Sequence, residues 1–334
     1  MKTYLIFLDK ISIFVTELAK EGSLYYSKLE NGKTHFVAHH ENISIEPEFS
    51  KIRTPENMKH FFFRSRDLVA RFPKDKSPAV SKQFLVGLKN CDLRGIDVYD
   101  RVCLKWQPLD PLYKARRDNT VIISADCPEP EECCFCNLVG LNPYPDAISD
   151  INITRLERHY LFETLSKKGE VIIEQFKDLF IEAGKEDLKE RDKIRKNAVK
   201  ALEKFNARSL PDNISERVEK ADKKAKHAAR KDCVECHGCL HACPTCYCFL
   251  LSDYRKGKET ERIRTWDACY YAAYARVGGG ANPRSKFDDR FWNRFVCKFD
   301  YFMQYEDIYA CSGCGRCWRG CSGKIDIREI LWKL

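Results

Sequence analysis

The sequence predicts an α+β protein: a mixed N-terminal α/β region followed by a mainly helical C-terminal domain. Three observations predict it. Short β-branched and apolar runs, separated by turn residues, occupy the first 125 residues. From about residue 152 the apolar positions take helical spacing, and residues 185–231 are rich in Lys, Glu, Ala and Arg. Two cysteine runs of one spacing then follow, Cys-x2-Cys-x2-Cys-x3-Cys, at Cys233, Cys236, Cys239, Cys243 and at Cys311, Cys314, Cys317, Cys321. The segments are 1–150, a mixed α+β domain; 151–231, a helical charged connecting arm; and 232–334, a helical cysteine-rich domain.

Along the first segment, residues 3–8 and 11–16 read as strands. Residues 24–29 and 34–38 flank Asn31-Gly32 and predict a tight hairpin. Residues 73–78 form a lysine-bearing loop. A further apolar stretch, 84–88, leads to Cys91, and 121–125 is a buried-strand candidate that delivers Cys127. Residues 152–183 read as amphipathic helix. The arm at 185–231 carries 16 basic and 9 acidic residues, and Ser209-Leu210-Pro211-Asp212 divides it into two helices. It is expected to be a solvated linker, with docking onto an acidic partner as the functional alternative.

Eighteen cysteines in 334 residues call for an explanation. A secreted disulfide scaffold is excluded by length, since the chain can bury a core without staples, and by an N-terminus without a cleavage site. No stretch approaches the roughly 20 apolar residues of a membrane span. A cytoplasmic, reducing location is expected. The net charge of +9 is spread along the chain and offset by 49 acids, so no nucleic-acid face stands out.

Thiolates are soft ligands that suit iron–sulfur clusters or zinc, and two matched runs of this spacing mark a two-cluster [4Fe–4S] module. In such modules the fourth cysteine of each run ligates the other cluster. Here that places Cys233, Cys236, Cys239 and Cys321 on one cluster, and Cys311, Cys314, Cys317 and Cys243 on the second. Pro244 follows Cys243, and Ser322 stands in the matching place after Cys321. The runs lie far apart for a minimal ferredoxin, which favours a helical cluster domain with a long excursion. In that excursion 266–274 is expected to be helical, 278–284 a turn, and 290–299 a second helix whose Arg290 and Arg294 share a face; pairing within the core, with Asp267 a candidate partner, is the expected role, and stabilising reduced clusters the alternative. The glycine run at 278–280 lacks the context of a phosphate loop. His237 and His241 read as loop or surface residues.

A third constellation joins Cys91 and Cys127 to Cys133, Cys134 and Cys136: four ligands for a third [4Fe–4S] cluster, with one to spare, zinc or inert buried cysteines being the alternatives. Cys103 reads as core. Asp92, Asp110, Tyr113, Arg116 and Arg117 are expected to brace the surrounding loops. No residues offer a substrate pocket with a general base, so no catalytic residue is assigned. No dinucleotide fingerprint is present, so flavin and nicotinamide are expected on a partner. Two alternatives remain: a thiol or iron–sulfur reductase using Cys246, Cys248, Cys269 and Cys297, and a zinc-binding scaffold.

The chain resembles the iron–sulfur subunit family shared by cytoplasmic NiFe sulfhydrogenases, where it is the beta subunit, and by anaerobic sulfite reductase. The matching residues include Lys89-Asn90-Cys91-Asp92-Leu93, Asp110-Pro111-Leu112-Tyr113, Cys127-Pro128-Glu129-Pro130 through Cys136, Cys243-Pro244-Thr245-Cys246-Tyr247-Cys248, Trp266-Asp267-Ala268-Cys269, Gly279 to Arg284, Lys298-Phe299, and Cys311 through Cys321. The resemblance implies that Cys134, not Cys133, completes the upstream ligand set Cys91, Cys127, Cys134, Cys136. Cys297 stands where such proteins usually carry histidine. The implied role is an electron relay within a hetero-oligomer, between a flavin/NAD(P)- or ferredoxin-linked partner and a catalytic redox subunit such as a hydrogenase or sulfite reductase.

Overall fold

The computed structural model describes residues 2–40, 45–73, 80–145 and 148–334. Among these, eleven strands occur: β1 (Thr3–Phe7), β2 (Ser23–Glu30), β3 (Lys33–Ala38), β4 (Arg66–Phe72), β5 (Gln83–Leu88), β6 (Thr120–Ala125), β7 (Ile151–Arg155), β8 (His159–Thr164), β9 (Ile181–Glu182), β10 (Phe249–Lys256) and β11 (Glu259–Trp266). The chain divides into two compact units. The first comprises Met1–Asn57 and Ala79–Ala207; the second comprises Met58–Pro78 and Arg208–Leu334. The expected mixed α/β region followed by a largely helical region is present.

The first unit is built on an eight-stranded sheet ordered β3-β2-β5-β6-β7-β8-β1-β9. Its centre, β2-β5-β6-β7, is parallel. The flanks are antiparallel. The hairpin β2–β3 turns through Asn31 and Gly32 at φ 51° and 73°, the doubly left-handed pair that matches strand twist. Residues 11–16, expected to be a strand, instead begin the helix Ile11–Glu21. Its buried residues Ile11, Phe14, Val15 and Leu18 follow the helical stripe, and this packing overrides β-branched propensity. Phe14 meets Phe162 edge-on at 5.4 Å in the core beneath the sheet.

Residues 152–183, expected to be helix, begin instead with the antiparallel pair β7–β8. Both strands are buried on both faces, so their apolar runs lack the alternation that marks a half-exposed strand. Helix returns only at Lys167–Gln175, where the Ser166 hydroxyl accepts from the Gly169 N–H at 3.2 Å.

The arm is not simply solvated. Its first helix, Lys185–Phe205, belongs to the first unit and buries Ala198 and Leu202. Arg195 pairs with buried Asp126 at 2.8 Å and with buried Glu163, and Arg191 pairs with Glu163 at 2.6 Å. The chain leaves helix over 206–213, where the Pro211 break was expected, and the helices Ile214–Glu219 and Lys223–Arg230 fall in the second unit.

The second unit combines short helices with an antiparallel sheet ordered β10-β11-β4. This sheet was not foreseen. β4 comes from the distant segment around residue 70, and β10 is largely exposed, so neither announces a buried partner in sequence. Residues 266–274, expected to be helical, instead end β11 at Trp266 and pass into turns from 269 onward. Phe287–Phe295 is helical and widens into a π-helical turn over Val296–Tyr301. Beyond Pro73, the loop expected at 73–78 lies outside the described residues.

Candidate metal centres

The two cysteine runs take the same backbone path. In each, the residue before the second cysteine is left-handed: Glu235 at φ 54° and Gly313 at φ 60°. So is the residue after it: His237 at φ 58° and Gly315 at φ 68°. Each of the latter caps a four-residue helix, Gly238–His241 or Arg316–Arg319, and these two helices pack against each other. The paired turns wrap each run around a compact space. Cys233, Cys236 and Cys239 line one cavity together with Cys321, the fourth cysteine of the other run; Cys317 borders it too. Cys311, Cys317 and Cys243 interact electrostatically, and Cys314 acts on Cys317. Among the described residues no three His, Cys, Asp or Glu side chains draw together tightly enough to hold one metal ion.

Burial opposes ionisation of Cys239 and Cys311, pushing them up to about 11 and about 12. Backbone amides answer part of this. The Gly313 N–H points to the Cys311 sulfur at 3.4 Å, and the Ile325 N–H to the Cys321 sulfur at 3.4 Å. Cations answer the rest. Arg294 is buried against Cys317 and Cys239, and Lys298 is buried against Cys243, Cys246, Cys297 and Cys311. Burial alone would lower the pKa of both cations, yet the surrounding sulfurs hold both well above their usual values. Cys243 is held well below the thiol range by a hydrogen bond from Cys246 and by these two cations. The Lys298 ammonium also donates to the Thr245 hydroxyl at 2.6 Å. Lys59, from the 58–78 segment, lies 4.1 Å from the Trp266 ring and donates to the Cys246 carbonyl at 3.4 Å.

Arg290 does not pair with Asp267. Its guanidinium donates to the Tyr270 carbonyl at 2.8 Å and the Ser285 carbonyl at 2.5 Å, which fixes the turns after β11. His241 shares a 3.3 Å contact with the Tyr271 hydroxyl, and His237 packs on the Tyr271 ring at 4.5 Å.

The upstream cysteines gather at one edge of the parallel sheet. Cys91 lies in the first turn of the helix Asn90–Asp100, just past β5, and Cys127 lies two residues past β6. These strands are parallel neighbours, so both thiols occupy the carboxyl edge, where open α/β sheets place their ligands. Gly87 makes the close approach that shapes this edge. It sits at φ 96° in a bulge of β5, and a Cβ there would come within 2.1 Å of the Ser27 hydroxyl oxygen.

Cys134 interacts with Cys127 and Cys133, and Cys136 opens the 3-10 turn Cys136–Val139. Buried Lys89 acts on both Cys127 and Cys91 while donating to the Phe49 and Asp126 carbonyls, each at 2.6 Å. The Arg53 guanidinium donates to the Cys133 sulfur at 3.6 Å. Asn206 donates to the Cys134 carbonyl at 2.9 Å and so holds the loop. Of the residues expected to brace the loops, Asp92 accepts from the Lys89 N–H and Asp110 caps the helix Pro111–Asp118, whereas Tyr113 and Arg117 bind Asp100 on the helix Asn90–Asp100 and so tie two helices together. Cys103 is buried.

Residues 232–325, a span containing both cysteine runs, match the family described as the 4Fe-4S dicluster domain. Over 323 residues the chain is 31% identical to sulfhydrogenase 2 subunit beta of Pyrococcus furiosus, covering 95% of this chain and 94% of that subunit. The chain belongs to the 4Fe-4S dicluster electron-transfer subunit family. Membership explains the donor chemistry: buried thiols with amide and cationic neighbours suit iron–sulfur clusters, which carry net negative charge. The upstream cysteines lie outside the matched domain but inside the aligned relative. Sequence reasoning missed Lys59, Lys89 and Arg53 as basic neighbours of the thiols; burial lowers the pKa of both lysines. For Arg294 and Lys298 a signal existed, since Arg290, Arg294 and Lys298 repeat every four residues just ahead of the second run. No helix among the described residues is long and apolar enough to cross a membrane.

Proposed function

We propose that this electron-transfer subunit carries three [4Fe–4S] clusters and relays electrons between a flavin/NAD(P)- or ferredoxin-linked partner and a catalytic redox subunit, in the cytoplasm. Cys233, Cys236, Cys239 and Cys321 would hold one cluster, Cys311, Cys314, Cys317 and Cys243 the second, and Cys91, Cys127, Cys134 and Cys136 the third. When bound, such clusters exchange one electron each. The observation that carries this proposal is the shared cavity in which the last cysteine of the second run meets the first three of the first run. That crossing is what a two-cluster module requires and what two independent sites would lack.

The protein's own residues supply burial, the amide donors at Gly313 and Ile325, and the positive charge of Arg294 and Lys298. The amides and cations favour the more negative, reduced state of an enclosed centre. The upstream set has buried Lys89 beside Cys127 and Cys91, and there burial outweighs the thiols and lowers the pKa of the amine. Purification without oxygen, retaining whatever copurifies, tests the proposal. About twelve irons per chain are expected, and about eight would remove the upstream site. Copurifying flavoprotein and metal-containing large subunits are expected; their absence under conditions that preserve the clusters would overturn the relay.

A further inference from the structure

Four cysteines lie outside the twelve proposed ligands yet sit among the thiols of the second unit: Cys246, Cys248, Cys269 and Cys297. Cys246 is hydrogen-bonded to Cys243 and belongs to that site. Cys297 lies 3.7 Å from the Tyr247 hydroxyl. Cys248 and Cys269 pair with each other. The hairpin β10–β11 brings them together: its ladder ends at Phe249 and Trp266, and the Asp267 N–H then donates to the Cys248 carbonyl at 3.0 Å. Cys248 precedes one strand, Cys269 follows the other, and the turns after Trp266 return Cys269 to the mouth of the hairpin. The two thiols act on each other there more strongly than any other group acts on either.

We propose that Cys248 and Cys269 are a redox-active dithiol that exchanges with small-molecule disulfides. The two thiols have the unequal character that such chemistry uses. Cys248 is partly exposed, and Cys269 is buried. Neighbouring Cys269, with help from Tyr274 and the Lys298 charge, brings Cys248 down to about 6, whereas Cys269 is raised. Cys248 is therefore the attacking thiolate and Cys269 the resolving thiol. The Cys248 sulfur attacks one sulfur of a disulfide RSSR, forming a mixed disulfide and expelling RS−. Cys269 gives up its proton and attacks the Cys248 sulfur, expelling the second RS−. The protein thiols lose two electrons and two protons to form one intramolecular disulfide, and RSSR gains both to become two RSH. The site takes a disulfide as oxidant and needs no cluster to balance the step.

The test uses the full-length, cluster-loaded chain, treated anaerobically with excess hydroxyethyl disulfide, then denatured, alkylated and peptide-mapped without reduction. A cross-linked Cys248–Cys269 peptide is expected, with loss of two alkylatable thiols and no change in iron per chain. Cys297→Ser should leave the cross-link intact, and Cys248→Ser should abolish it while Cys269 stays alkylatable. Full alkylation of both residues in the treated, unmutated protein would overturn the proposal. So would loss of about four irons in Cys248→Ser or Cys269→Ser, which would make these residues cluster ligands. Iron per chain in the unmutated protein tests the cluster assignment separately, so either proposal can fail alone.

Discussion

The two cysteine runs have one spacing and one backbone path, yet they occupy different environments. The second is enclosed: Cys311, Cys314 and Cys317 are all buried. The first three cysteines of the first run lie nearer solvent, with Cys236 exposed and Cys233 and Cys239 partly so, and the fourth cysteines reverse the contrast, Cys243 being buried and Cys321 partly exposed. The second meets its left-handed positions with Gly313 and Gly315, whereas the first places Glu235 and His237 there. Equal ligand spacing thus specifies equal local geometry but not equal burial, and burial governs solvent access and electrostatic strength. The difference suits the first run to exchange electrons at a surface and the second to hold them inside.

Serine substitution gives the largest break in this comparison. Cys314→Ser is expected to remove about four irons and to lower the melting temperature steeply, because buried sulfur chemistry is lost from a packed site. Cys236→Ser should cost a similar amount of iron with a smaller change in melting temperature. Equal destabilisation, read by iron assay and thermal unfolding, would erase the proposed distinction.

Lys298→Met should come next. Removing one buried positive charge near the second run should lower its reduction potential by about 60–120 mV, the effect of a nearby charge at an effective dielectric of about 20. The signal of the set Cys233, Cys236, Cys239 and Cys321 should move less, because Lys298 acts on Cys243 and Cys311 of the other set, while Arg294 stands against both sets through Cys239 and Cys317. Redox titration followed by electron paramagnetic resonance separates the two. Arg290→Met, which loses bonds to backbone carbonyls, should leave both potentials in place.

Backbone strain gives a smaller contrast. Gly315→Ala should destabilise the fold by about 1–2 kcal/mol, the cost of a left-handed L-residue. The reverse change in the first run, Glu235→Gly, should stabilise by no more than about 1 kcal/mol, since relief of strain is partly offset by the added freedom of the unfolded chain. Denaturant midpoints at constant iron content check both. The smallest expected effect is kinetic: a water-soluble iron chelator should strip the cluster at the exposed first run before the one at the second, seen as sequential loss of two spectroscopic signals.

Much of this was legible along the chain. The cysteine spacing marks both runs because each wraps its own turn, a property of adjacent residues. Asn31-Gly32 announces its hairpin for the same reason, and Pro211 marks the gap between the arm's helices. What failed depended on distant partners. Residues 11–16 are β-branched, but the stripe through Leu18 packs as helix beneath the sheet. Residues 152–164 looked helical because strands buried on both faces lose their alternation. The arm looked solvated because most of its charges are; only Arg191 and Arg195 turn inward to buried acids.

By itself, the sequence determined where the thiols fall along the chain and the local spacing from which the crossed ligand sets are proposed. Only the tertiary structure decided what surrounds them. Lys59 arrives from the 58–78 segment, Lys89 meets the Asp126 carbonyl across the sheet edge, and the hairpin β10–β11 closes Cys248 onto Cys269. Ligand type is a property of single residues and short spacings. Burial, counter-charge and thiol pairing are set by contacts between residues far apart in the chain, and these form only once the backbone has folded.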